Sequence, residues 1–143
     1  MSIQFISAKD SIKGYQESKL AQSENRDCVV RAFASATDWD YDKSHRFVEK
    51  EFLRVPKCGT KNFIPTMNKM ALEGRKLGRK KIKTVNDPQI KTVGQLVKWY
   101  DKGTYIIVIS GHAFTIKDGV VVGGNLEDSK RMRCQIKSFW KIG

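Results

Sequence analysis

TYIIVISGHAFTIKDGVVVGGN, residues 104–125, decides the fold class. β-Branched and aromatic side chains fill 104–109 without interruption, the composition of a strand covered on both faces. Asp118-Gly119 offers the two left-handed positions of a tight hairpin turn, with strand-forming residues on either side. Strands are therefore predicted over 104–110, 112–117 and 120–125. An alternating stretch over 131–140 predicts one more, with Met132, Cys134 and Ile136 on one face.

Upstream of this region the period changes. Residues 28–37, CVVRAFASAT, read as a mostly buried helix whose polar stripe is Asp27, Arg31, Ser35 and Asp38. Further helices are predicted over 41–54, with Phe47, Val48 and Phe52 inward, and over 64–72, marked by Met67, Met70 and Ala71. Pro65 falls near the start of the latter, where its missing N–H is harmless. A short helix over 92–101 is stopped by Gly103. Helices first and an antiparallel sheet second define an α+β class. Absence of repeats and low-complexity segments argues for one domain over 1–143, with residues 1–21 as a polar lead-in.

Composition narrows the function. Forty per cent hydrophobic and 29% charged residues are those of an ordinary globular chain. The 27 lysines and arginines against 15 acids leave +12, which favours anionic partners without choosing among nucleic acid, membrane surface and acidic protein. No apolar run approaches the ~20 residues of a membrane span, and the start, Met1-Ser2-Ile3-Gln4-Phe5, lacks the features of a signal peptide, so a cytoplasmic location is expected. Three cysteines cannot complete a disulfide framework. No Cys-x-x-Cys or His-x-x-x-His spacing offers a metal site, and neither metal nor cofactor is expected.

Chemistry concentrates on two residues. In the hairpin register set by Asp118-Gly119, Lys117 faces Val120, Ile116 faces Val121, Phe114 faces Gly123 and His112 faces Asn125. Directly opposed Cβ atoms lie about 4.5–5.5 Å apart, so the Asn125 carbonyl is expected to orient the imidazole. A bulge at Gly123-Gly124 would hand that role to Asp128. Cys28 is the candidate nucleophile: it stands at a helix start, where the dipole and unpaired N–H groups stabilise a thiolate, with Arg31 one turn on. Asp27 just before it either caps the helix or opposes the thiolate. Cys58, in a loop, and Cys134, inside a strand, lack this setting. For the oxyanion of an acyl intermediate, the Cys28 N–H is one donor and the Gln22 amide the first choice for the other, ahead of Asn25. His45 is expected on a solvated helix face.

The order Gln22, Cys28, His112, Asn125 resembles that of the papain-like cysteine peptidases. The wording Asn25-Arg26-Asp27-Cys28-Val29-Val30-Arg31-Ala32, with Gly103-Thr104-Tyr105-Ile106, Gly111-His112-Ala113 and Asp118-Gly119, is similar to small bacteriophage-encoded proteins of that fold. The resemblance covers nearly all the chain. It implies a nucleophile helix packed on an antiparallel sheet, and cleavage or transfer at a peptide, amide or isopeptide acyl group of a host or phage protein in the bacterial cytoplasm. Asp27-Cys28-Val29 departs from the Cys-Trp or glycine-rich surround of larger relatives.

A second candidate surface is the run Arg75, Lys76, Arg79, Lys80, Lys81 and Lys83, which reads as a solvated loop able to contact phosphates or recruit an acidic substrate. It supports a rival reading, a non-catalytic basic protein on the same fold that grips nucleic acid or an acidic host factor. Nothing in the pattern indicates an oligomeric state.

Overall fold

The computed structural model describes residues 3–143; Met1 and Ser2, part of the stretch expected to carry no leader, lie outside them. In chain order the elements are β1 (Phe5–Ser7), α1 (Ala8–Ser11), α2 (Lys19–Ser23), α3 (Cys28–Thr37), α4 (Tyr41–Phe52), α5 (Phe63–Leu72), β2 (Lys76–Leu77), β3 (Lys80–Thr84), α6 (Val93–Trp99), β4 (Thr104–Ile109), β5 (His112–Lys117), β6 (Val120–Gly124), α7 (Leu126–Ser129) and β7 (Ser138–Ile142). Among the described residues the strands form one seven-stranded sheet, ordered β1-β6-β5-β4-β7-β3-β2, with only the β1–β6 pair parallel. The fold is mixed α+β. No helix of the described residues is long and apolar enough to cross a membrane.

β4 explains the layering. All six of its residues are buried, so both faces need cover. Ile106 and Val108 pack with Val30 and Phe33 of α3, Val48 of α4 and Met67 of α5; Tyr105, Ile107 and Ile109 pack with Val93 and Leu96 of α6 on the other side. Phe33 is wholly buried among Phe47, Phe52 and Phe63. Truncating such a ring to alanine costs about 3–5 kcal/mol. Asp40 caps α4 and a Thr92–Gln95 capping box opens α6. α4 stops at Phe52, two residues short of the expected end, because Leu53 turns left-handed.

Within the polar lead-in, β1 pairs with β6, and the Ile3 N–H bonds the Ser129 carbonyl of α7 at 2.8 Å. Several expectations are corrected. Residues 131–137 are not a strand. They turn so that the carbonyls of Met132 and Cys134 accept the free N–H groups of Gly94 and Val93 at the start of α6, and β7 begins only at Ser138. The basic run is not a loop but the β2–β3 hairpin at the sheet edge. Within the polar stripe on α3, Asp27 and Ser35 are buried, and Arg31 donates to the Gly123 carbonyl at 3.2 Å.

His45 is likewise buried rather than solvated. Its Nε2 lies 2.5 Å from Glu24 and its Nδ1 2.9 Å from Glu49. Arg54 donates through both terminal nitrogens to Glu24 and also to the Asn25 carbonyl, while the Lys57 N–H completes the cluster. The chain entering Cys28 is thus tied to residues 53–57. Burial works to raise the Glu24 pKa, but Arg54, His45 and the Lys57 N–H outweigh it and hold the group at about 2. The resulting stabilisation is complete above the usual carboxylate range and is lost as pH falls through it toward about 2. Replacing Glu24 by Gln leaves the buried Arg54 guanidinium uncompensated. It is expected to cost about 3–5 kcal/mol in urea unfolding at neutral pH, with the gap to wild type narrowing in acid.

Candidate active site

The hairpin begins as the turn chemistry dictates, with Asp118 and Gly119 both left-handed and Lys117 opposite Val120, Ile116 opposite Val121 and Thr115 opposite Val122. There the pairing stops. Gly123 adopts φ +76°, and the β1–β6 register shifts at the same point, from Ile6 opposite Val122 to Ser7 opposite Gly124. A Cβ at Gly123 would stand 1.9 Å from Ser35 Oγ, so only glycine lets the chain pass α3 here.

This break corrects the expected third residue. Asn125 does not face His112. It caps α7, its side chain accepting the Asp128 N–H at 3.2 Å while Asp128 Oδ2 accepts the Asn125 N–H at 3.2 Å. That reciprocal box leaves Asp128 Oδ1 free to bond His112 Nε2 at 2.7 Å. Asp128 is 1% exposed, with Arg131 Nε a further 3.3 Å partner. With Nε2 committed to Asp128, Nδ1 is the ring nitrogen left for a partner on the other side.

Cys28 lines the same cleft as His112 and is the titrating group that interacts with the ring there. Burial pushes its pKa up, yet the hydrogen bond with His112, the Ala113 N–H and the charges of His112 and Arg31 more than offset this and hold it below the ordinary thiol value. For His112, burial works downward and is outweighed by Asp128 and then by the thiol, leaving the ring raised to about 9. Burial pushes Asp128 up, and His112, the Asn125 N–H and Arg131 bring it below the usual carboxylate range. All three shifts favour thiolate, imidazolium and carboxylate together.

Cys28 and His112 share the wall of a cleft of about 590 Å³, with Phe63, Pro65 and Val108 as apolar lining. Arg26 and Lys137 bring positive charge to it. Asp27 neither caps α3 through its side chain nor faces the thiol: its carboxylate accepts from Tyr41 at 2.6 Å and Arg31 at 3.2 Å. Gln22 is corrected as an oxyanion donor. It is exposed on α2, its amide donates to the Gln16 carbonyl at 3.3 Å, and neither it nor Asn25 lines the cleft. The Cys28 N–H, at the start of α3, is free of an intrahelical partner. None of Arg75, Lys76, Arg79, Lys80, Lys81 and Lys83 lines the cleft either. Cys58 is exposed in its loop and Cys134 sits in the turn before β7.

Comparison with protein-family models, with curated proteins and with solved structures returned no match for this chain.

Two outcomes are expected. Cys28 should be alkylated by iodoacetamide at mildly acidic pH much faster than the same cysteine in urea-denatured chain. His112→Ala, read by peptide mass mapping, should slow it at least about tenfold, the effect of one pKa unit on thiolate fraction. Gly124→Ala would put a Cβ 2.4 Å from Asp128 Oδ2 and 2.8 Å from Val121 Cγ1. It should displace the carboxylate and lower the His112 pKa, as measured by NMR titration of the ring.

Proposed function

We propose that this chain is a papain-like thiol hydrolase or acyl transferase, acting on a peptide, amide or isopeptide bond through Cys28, His112 and Asp128. The observation that carries the reading is the buried Asp128–His112 hydrogen bond behind a thiol whose pKa His112 lowers, with Cys28 and His112 both lining the cleft. The resemblance of the sequence to small phage proteins of papain-like fold supports it independently. In this reading Asp128 takes the orienting role, and Asn125 serves by holding the turn that carries Asp128.

The Cys28 thiolate attacks the substrate carbonyl, and the oxyanion that develops is held by the Cys28 N–H. His112, cationic in the resting pair, gives its proton to the leaving amine as the tetrahedral intermediate collapses to a thioester. Water, deprotonated by the now neutral ring, releases the acid; an amine in its place completes a transfer. Asp128 remains ionised and keeps Nε2–H engaged throughout. Arg26 and Lys137 favour acidic residues near the scissile bond, a role expected earlier of the Arg75–Lys83 run. The substrate is a host or phage protein met in the bacterial cytoplasm.

The test is incubation with a diverse peptide library, with and without added amine, followed by mass spectrometry of products. Wild type should generate new termini or amine adducts enriched in flanking Asp and Glu. Cys28→Ala should generate none, and Asp128→Asn should lose about 10²-fold or more, by analogy with removal of an orienting carboxylate in triads. Equal product from wild type and Cys28→Ala would overturn the proposal.

A further inference from the structure

The β2–β3 hairpin divides its cations between the two faces of the sheet. Arg75, just before it, forms a bidentate pair with Glu51. Lys80 shares a face with Leu77 and Ile82, and its ammonium bonds the Ala36 carbonyl at 3.0 Å at the end of α3. Those two are structural. The remaining lysines point the other way.

Strand alternation puts Lys81 and Lys83 opposite to buried Ile82, about 6.6–6.8 Å apart along β3. Lys76 lies directly across from Lys81 on β2, and Lys141 directly across from Lys83 on β7. The outcome is a stepped grid of four exposed lysines on three neighbouring strands, the Lys76–Lys81 pair on β2 and β3 offset by one strand from the Lys83–Lys141 pair on β3 and β7. Among the described residues no salt bridge reaches any of the four. Arg79, exposed in the turn, adds a fifth charge beside it.

Like charges directly opposite on a sheet are destabilising. Lysines on edge strands are common because they discourage unwanted strand pairing. That explanation reaches Lys76 on β2 and Lys83, which lies beyond the two residues of β3 that β2 covers, but not Lys141, whose strand is flanked by β3 and β4. The grid therefore calls for a ligand that neutralises it.

We infer that the face carrying Lys76, Lys81, Lys83 and Lys141 binds the phosphodiester backbone of a nucleic acid, separately from the Cys28 cleft. The composition chooses this partner over an acidic protein. Lysine is depleted in protein–protein interfaces, whose centres hold aromatic and apolar anchors, whereas it is a natural point-charge contact for phosphate. All four grid residues are lysines, so binding follows the backbone and does not read bases.

The test is fluorescence anisotropy of the full chain with a short labelled DNA duplex, the matching single strand and polyglutamate of equal charge, across a salt series. Four contacts predict a slope of log affinity on log salt of about −3.6 for duplex and about −2.8 for single strand. Whichever strand form binds more tightly identifies the preferred source of the backbone. Replacing the four lysines by Gln should lower nucleic-acid affinity at least tenfold while leaving the Cys28 alkylation rate unchanged, which verifies the fold. A charge-matched variant, Lys9→Gln with Lys13→Gln, Lys61→Gln and Lys130→Gln, should lose less than threefold. Equal losses in the two variants would show that only net charge matters and overturn the inference. Polyglutamate bound as tightly as either nucleic acid would overturn it in favour of an acidic protein.

Discussion

A carboxylate with 1% of its surface exposed must be neutralised or matched, and the Asp128 position is built to match it. The Asn125 N–H and Arg131 satisfy part of its charge, and His112 the rest. The cost of burial is thereby transferred: a cationic imidazole is favoured next to Asp128, and an anionic sulfur is favoured next to the imidazole. Removing any one of the three leaves its neighbour in an unfavourable charge state. That interdependence separates this site from a chance meeting of a cysteine and a histidine.

The main-chain route to Asp128 is as specific as the electrostatics. Gly123 turns left-handed against Ser35, Gly124 leaves room for the carboxylate, and the Asn125 cap starts α7 at once. The chain just before β1 steadies this short helix, the Ile3 N–H bonding the Ser129 carbonyl. On the nucleophile side, the buried Glu24–Arg54–His45 cluster fixes the chain before Cys28. Each half of the site is held by local chemistry, and the α3–sheet packing brings the halves together.

Much of this was legible from residue order. Asp118-Gly119 named the turn, the unbroken apolar run named β4, and capping residues before Cys28 marked the start of α3. The choice between Asn125 and Asp128 was not, because it rests on how a glycine pair meets another element. Counting register outward from the turn assumes uninterrupted pairing, which Gly123 ends after Val122. The Asn125-x-x-Asp128 spacing of a reciprocal cap was the available signal. Gln22 failed for a similar reason, since spacing along the chain does not say which way a surface amide turns. Glu24 and His45 could not be read as buried: they partner each other across 21 residues, and Glu24 also takes Arg54, contacts brought in by tertiary folding. The lysine grid too needed strand register, because the linear run mixes Lys80, which faces α3, with Lys81 and Lys83, which do not, and omits Lys141.

The central claim is a resting thiolate–imidazolium pair anchored on Asp128. Its most direct measurement is the ultraviolet absorbance of the thiolate against pH in a chain carrying Cys58→Ser and Cys134→Ser, so that Cys28 alone contributes. The account predicts that this absorbance appears at lower pH than for an ordinary cysteine and moves to higher pH when His112 is replaced by Ala. A thiolate that appears only at the ordinary, alkaline pKa of cysteine, and does so equally in both chains, would contradict it.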